Sequence, residues 1–264
     1  MKLNLSGKTA LVTGSSEGIG FATAELLLEE GAHVIINGRT DTKLQKVAAQ
    51  LKGKFPKGTL KTVTADLGTP QGAQTLFQEV PFCDILINNL GFYEIKPFEQ
   101  ISDEDWMRIW EVNVMSGVRL SRHYLPKMLK KGWGRIIFIT SEAGLQIHKE
   151  MIHYGVTKTA QITLARGLAE LTTGTNVTSN SIIVGPTMTE GVQDFLKDIA
   201  QKKNVSPEQV NQQFFQEMCP TSILKRFSEP REIANLIVYI ASEASSSTNG
   251  AALRVDGGLV VSII

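Results

Sequence analysis

What most limits the fold of this chain is a rhythm: short, almost continuously apolar runs recur between longer stretches of helical pattern. Residues 9–13, 33–37, 60–65, 84–88, 135–140, 177–183 and 252–255 form the runs. Runs of this length and greasiness suit parallel strands covered on both faces. Strand, helix and strand repeated in this way imply right-handed crossovers. They predict an α/β fold with a doubly wound, mostly parallel sheet of seven strands and helices on both faces. At 264 residues the chain fits one such domain, spanning 1–264.

Punctuation supports these divisions. Helical pattern runs from the first glycine-rich turn to about Glu30, and again from about Asp41 to Lys52. Ser102, Asp103, Glu104 and Asp105 form a capping box that opens a long helical region towards Lys130. Gly31, Gly53 and Gly174 fall where helices are expected to stop. Residues 187–220 break the rhythm, being polar, helix-forming and without a strand. An insertion late in a doubly wound sheet sits above the carboxyl edge, so this segment reads as a substrate lid.

Charge excludes one class of partner. The 27 Lys and Arg against 26 Asp and Glu leave a net +1, with no basic stripe of the kind that tracks nucleic acid. No apolar run approaches the ~20 residues of a membrane span, and the first eight residues lack a signal-peptide core. A cytoplasmic location is the expectation. Cys83 and Cys219 are too few for a disulfide framework and too far apart for a metal-ligand pair, so no metal is expected. Cys83 reads as a small buried hydrophobe.

The first run is followed directly by Thr13, Gly14, Ser15, Ser16, Glu17, Gly18, Ile19 and Gly20. Glycines at a strand-to-helix turn let the backbone approach a pyrophosphate, whose charge the helix N-terminus holds. The spacing is Gly-x-x-x-Gly-x-Gly, so Gly14, Ser16, Glu17, Gly18, Ile19 and Gly20 are candidate dinucleotide contacts. At the end of the second run, Asn37-Gly38-Arg39 offers a guanidinium where an NAD site commonly places an acid. Arg39 suits a 2′-phosphate and favours NADP. Glu17 stands near the same phosphate and argues for NAD, which stays possible.

Tyr154 and Lys158 lie four residues apart and share a helix face. An ammonium beside a phenol, with an oxidised nicotinamide, favours the phenolate and brings proton transfer towards neutral pH. Ser141 ends another strand and can hydrogen-bond a substrate oxygen.

With these segments in order, the chain resembles the classical short-chain dehydrogenase/reductase family over essentially its whole length. The resemblance rests on residues 13–20, Asp66-Leu67, Asn88-Asn89-Leu90-Gly91, Asn113, Ser141, Tyr154 with Lys158, Gly185 with Thr187 and Thr189, and Val255-Asp256-Gly257-Gly258. It implies a Rossmann-type fold and hydride transfer between NADP(H) and a carbonyl or secondary alcohol. Tyr154 would be the general acid or base. Lys158 would lower its pKa and hold the nicotinamide ribose. Ser141 would orient the carbonyl, and Asn113 would anchor a water extending the proton relay. Asp66, with Leu67 beside it, would meet the adenine, and Asn89, Leu90 and Gly91 would pass the adenosine ribose. Gly185, Thr187 and Thr189 would meet the nicotinamide carboxamide and the phosphates. The chain departs from the family pattern at Leu90 (usually Ala), Val184 (usually Pro) and Glu142, which suggests a charge in the pocket. A non-catalytic dinucleotide-binding regulator and a same-fold epimerase or dehydratase are the alternatives.

The remaining features read structurally. His123, His148 and His153 lack a carboxylate at helical spacing and are expected to be structural or exposed. Gln146 and His148 are placed to line the pocket. Trp106, Met107 and Trp110 suit a core or a subunit contact. The apolar tail 259–264 would be costly to expose as one patch and is expected at a subunit contact, in keeping with the family's habitual tetramers.

Overall fold

The computed structural model describes residues 3–263. Seven strands form from the apolar runs: β1 (Thr9–Val12), β2 (His33–Gly38), β3 (Leu60–Thr64), β4 (Ile85–Asn88), β5 (Trp133–Ser141), β6 (Asn176–Val184) and β7 (Ala252–Val255). They lie in the order β3-β2-β1-β4-β5-β6-β7, every neighbouring pair parallel. The chain winds outwards from β1 in both directions, so the sheet is doubly wound as the rhythm implied. The strands keep their expected positions with ends shifted by a residue or two. The largest change is β5, which gains Trp133, Gly134 and Ser141 through its register with Asn176, Val177 and Val184.

Alternation along each strand divides the core. Ala10, Val12, Val34, Ile36, Ile85, Ile137 and Ile182 point to one face, against α1 (Gly18–Glu29), α2 (Asp41–Lys54) and α9 (Pro230–Ala241). Leu11, Ile35, Leu86, Ile136 and Phe138 point to the other, against α3 (Pro70–Glu79), α5 (Ser116–Lys131) and α6 (Ile152–Glu170). Successive residues of a strand face opposite sides, so a run apolar at every position has both faces to fill.

The capping box at Ser102 is formed: its hydroxyl accepts the Asp105 amide, and the Asp105 side chain accepts the Ser102 amide. The helical region it opens is not uniform. α4 (Asp103–Trp110) passes into a π-helical turn, Glu111–Met115, before α5. Such turns insert a residue, rotate the helix face and recur at functional sites; this one carries Asn113. Gly132, left-handed at φ 79°, caps α5. Gly31, at φ 85°, follows α1 as expected. Gly53 corrects the sequence reading: it lies within α2, which stops because Phe55 precedes Pro56 and leaves the helical region. Gly174 sits four residues beyond α6, in the turn leading to β6.

Segment 187–220 holds two helices, α7 (Glu190–Lys203) and α8 (Pro207–Glu217), started by Thr189 and by a Ser206–Gln209 capping box. They share a small core of Leu196, Ala200, Val210, Phe215, Cys219 and Phe227 with Leu259. The apolar tail therefore divides. Leu259 is buried in that core, whereas Val261 and Ile263 are exposed on the single chain, and Ile264 lies outside the described residues. Cys83 is buried, and burial pushes its thiol well up, as suits a hydrophobe. Among the described residues no helix is long and apolar enough to cross a membrane.

Candidate active site

The carboxyl ends of β1, β2, β4, β5 and β6 open on one edge of the sheet, and the loops leaving them supply the site. After β1 the chain turns through Gly14 (φ 58°) and Gly18 (φ 57°), both left-handed. A Cβ on Gly14 would stand 3.3 Å from the Leu90 Cα, and one on Gly20 would stand 2.5 Å from the Gly14 carbonyl oxygen. These contacts let α1 close tightly on the turn. The α1 N-terminus carries no side-chain cap and no acid in its first turn. Its amides are a natural anion site, and one already has a carboxylate: Gly18 donates its N–H to Glu190 Oε2 at 2.9 Å.

The β4 loop is stitched to this turn. Thr13 Oγ1 accepts the amides of Asn89 (3.0 Å) and Leu90 (2.9 Å). Asn89 Nδ2 donates to the carbonyls of Thr13 (2.9 Å) and Gly14 (3.0 Å). Between the two loops runs a cavity of about 460 Å³. Gly14, Ser16, Glu17, Gly18, Ile19, Arg39, Leu67, Asn89, Leu90, Gly91, Tyr154, Lys158 and Thr189 all line it. Four expected cofactor residues are placed otherwise, Thr187 among them, which lines only the second cavity described below. Gly20 acts through packing alone, behind the turn. Asp66 is exposed, with Oδ1 accepting the Gly68 amide, while its neighbours Ala65 and Leu67 face the cavity. Gly185 lines a second cavity, and a Cβ there would strike the Asp256 backbone at 2.6 Å.

Electrostatics around the turn differ from the sequence picture. Arg39 lies on the cavity wall. Glu17 does not stand there as a lone negative charge, because Lys43 from α2 pairs with it at 2.5 Å. The cavity fits a dinucleotide on three grounds: a glycine turn with no room for side chains, an uncapped helix N-terminus, and a wall reaching from Arg39 to Tyr154 and Lys158.

At that far end the catalytic candidates meet. Lys158 is buried, its Nζ donates to the Ile139 carbonyl at 3.0 Å, and it lies 5.6 Å from the Tyr154 ring centre. Burial pushes its ammonium down to about 8. Burial also pushes the Tyr154 phenol above its ordinary value; a hydrogen bond with Ser141 opposes this, and the charge of Glu142 adds to it. The sequence led us to expect Lys158 to lower the phenol's pKa. Desolvation instead dominates and favours the protonated phenol. Asn113 is fully buried. Its Nδ2 donates to the Phe92 carbonyl (2.9 Å) and Thr157 Oγ1 (3.0 Å), and its Oδ1 accepts the Phe92 amide (2.9 Å). It thus clamps the loop after Gly91 to α6. A Cβ on Gly91 would lie 3.2 Å from Lys158 Nζ and 3.4 Å from Asn113 Oδ1, so both face the same small space.

Beyond Tyr154 opens a second cavity of about 280 Å³. Its walls include Ser141, Glu142, His148, Tyr154, Gly185, Thr187 and Thr189, with Phe195, Leu196, Phe214 and Met218 from the 187–220 segment. Thr187 Oγ1 donates to the Gly185 carbonyl at 2.9 Å, bracing this loop. His148 departs from expectation: it has a carboxylate partner, with Nε2 3.2 Å from Glu142 Oε1, and that partner raises its pKa. Gln146 instead reaches out to Thr221. His123 stacks on Phe77 with ring centres 3.8 Å apart, and His153 is buried edge-on to Trp106; both are structural. Sequence reasoning missed Lys43, Tyr93 and Glu190. Tyr93 lies on both cavities with its ring edge-on to Tyr154. Each stands near a motif residue in the chain (Lys43 four after Arg39, Tyr93 two after Gly91, Glu190 next to Thr189), but where its side chain reaches is set by the fold and not by a spaced pattern.

Comparison with known proteins identifies the family. Residues 8–200 match the family model for short chain dehydrogenase. The chain is 50% identical over 263 residues to uncharacterized oxidoreductase YvaG of Bacillus subtilis, covering all of both chains. It is 32% identical to a D-beta-hydroxybutyrate dehydrogenase of Cupriavidus necator, over 97% of this chain and 99% of that one. Among solved structures, L-sorbose reductase from Gluconobacter frateurii, complexed with NADPH and L-sorbose, superposes with a TM-score of 0.93 at 32% identity, covering all of both chains. The chain belongs to the classical short-chain dehydrogenase/reductase family, as an NAD(P)-dependent oxidoreductase.

Proposed function

We propose that this enzyme transfers hydride between NADP(H) and a small ketone, aldehyde or secondary alcohol. One observation carries the reading: Tyr154 lines both cavities, with Lys158 on the dinucleotide side and Ser141 on the apolar side. Bound cofactor supplies the hydride or takes it up. Ser141 donates a hydrogen bond to the substrate oxygen and fixes its position. Tyr154, whose burial favours the protonated phenol, gives its proton to that oxygen during reduction and recovers it during oxidation. Lys158 holds the ribose hydroxyls. An ammonium titrating near 8 can also restore the phenol's proton at neutral pH. Asn113 keeps Gly91 and α6 in place around Lys158 and anchors the water that extends the relay.

The pairing of Glu17 with Lys43 favours NADP, because it removes the charge that would oppose a 2′-phosphate at Arg39. The NADPH held by L-sorbose reductase points the same way. On this reading Gly14, Ser16, Gly18, Ile19, Leu67, Asn89 and Leu90 carry the dinucleotide, Gly185, Thr187 and Thr189 close over its nicotinamide end, and 187–220 is the substrate lid. The protein works in the cytoplasm as a homo-oligomer, with Val261 and Ile263 covered by another subunit. The deciding experiment follows NADPH and NADH consumption over a panel of carbonyl compounds, with Tyr154→Phe as control. Turnover lost in that variant while cofactor binding persists supports the reading; turnover that survives it removes Tyr154 from the mechanism.

A further inference from the structure

A charged side chain stands where the substrate must lie. β5 ends at Ser141 and the chain tightens at once into a 3-10 turn, Glu142–Gly144, which folds the Glu142 carboxylate back over Ser141. Glu142 is buried, and the cavity around it is otherwise largely apolar. A buried carboxylate persists only where its lone pairs are supplied with donors. Here Oε2 accepts the Ser141 hydroxyl at 2.5 Å and the Ala143 amide, and Oε1 accepts His148 Nε2 at 3.2 Å.

The arrangement contains a conflict. A serine hydroxyl has one proton. In the structure that proton goes to Glu142, yet orienting a substrate carbonyl requires it to point at the carbonyl oxygen. When Ser141 turns to the substrate, Glu142 Oε2 loses a donor inside a largely apolar cavity. A hydroxyl on the carbon next to the carbonyl lies beside the oxygen bound by Ser141 and can replace the lost donor. An alkyl group there leaves the carboxylate short of a donor, and a carboxylate group there adds repulsion.

We propose that Glu142, held by His148, is a specificity-determining residue that selects α-hydroxy carbonyl compounds and the matching vicinal diols, with an apolar remainder, over simple ketones and 2-oxo acids. The proposal rests on the oxidoreductase reading above. The remainder is apolar because Leu196, Phe214 and Met218 form the far wall. His148 is a positioning residue, since it meets Glu142 on the oxygen turned away from Ser141.

Three compounds of one skeleton test this: 1-hydroxyhexan-2-one, hexan-2-one and 2-oxohexanoate, each with NADPH and with NADH. The expected kcat/KM favours the hydroxyketone over the ketone by about 10- to 100-fold, with the oxo acid poorest, because a buried group left unpaired discriminates strongly. In Glu142→Ala the hydroxyl preference falls to within about threefold. Glu142→Gln keeps the side chain's shape, relieves the exclusion of 2-oxohexanoate, and carries the test if the alanine variant does not fold. The same ranking is read as binding to NADPH-loaded Tyr154→Phe protein by fluorescence. A binding preference without turnover by the parent keeps this proposal and removes the oxidoreductase reading. Turnover with hexan-2-one equal to the hydroxyketone, a preference unchanged in both Glu142 variants, or no binding of any of the three overturns the proposal.

Discussion

Lys43 of α2 reaches across to Glu17 in the glycine turn and pairs with it at 2.5 Å, 26 residues away in sequence. Both side chains are half-exposed, so the pair adds little to stability. On the proposed reading its consequence is for the cofactor: it pairs off the charge of Glu17 in the cavity whose wall carries Arg39. Arg39→Ala is expected to lower the preference for NADPH over NADH by about tenfold, as loss of a charge-assisted phosphate contact should. Lys43→Ala is expected to lower it in the same direction by exposing Glu17. Cofactor titrations with both dinucleotides check the pair, and an NADPH preference untouched by either change would remove Arg39 from the site.

Glu190, on the first turn of α7, accepts the Gly18 amide at the α1 N-terminus, where the proposed dinucleotide would place its pyrophosphate. A carboxylate there competes with a pyrophosphate for the same helix N-terminus. Glu190→Gln is expected to tighten NADPH binding by about three- to tenfold at low salt, with the gain shrinking as salt rises. Calorimetry at two ionic strengths measures it; weaker binding would mean that Glu190 assists the cofactor.

Lys158 should make stability depend on pH. Its ammonium falls from the ordinary 10.5 to about 8 on burial. Between those values the unfolded chain holds a proton that the folded chain does not, so stability rises with pH across that window and the cost is present in full below it. Lys158→Met is therefore expected to be more stable than the parent at pH 7 by about 1–3 kcal/mol, less the bond lost to Ile139, with the gap closing towards pH 10.5. Urea unfolding of cofactor-free protein at pH 7 and pH 10 gives the comparison, and a gap independent of pH would assign the effect to packing.

Gly20→Ala drives a methyl group into the Gly14 carbonyl oxygen and Asn89 Nδ2, at 2.5 and 2.6 Å. The clash is with backbone and with a side chain bound to that backbone, so the turn itself has to move. A loss of about 1–3 kcal/mol is expected, with weakened binding of either dinucleotide. Thermal unfolding and cofactor titration together test this; full stability with normal binding would show the turn to be compliant.

Much of this was legible in sequence because it is local or periodic. Strand positions follow from apolar runs, the Ser102 cap from a four-residue pattern, and Tyr154 with Lys158 from the helical repeat. Gly53 misled because a glycine suggests a helix stop only when nothing else ends the helix, and Pro56 does so here. His148 was set aside for want of a partner at helical spacing. Its partner, Glu142, comes through a non-helical loop.

Sequence by itself therefore determined the α/β order, the glycine turn after β1 and the placing of Tyr154 and Lys158 on one helix face, since each is encoded by residues close together in the chain. Tertiary structure alone decided the electrostatics: that Lys43 pairs with Glu17, that Glu190 accepts the Gly18 amide, that burial raises the Tyr154 phenol above its ordinary value, and that Glu142 lines the cavity beside Ser141. Those outcomes depend on burial and on distances between groups that share no local pattern. Coulomb interactions and desolvation are set by position in space and by exclusion of water, and neither is written in sequence spacing.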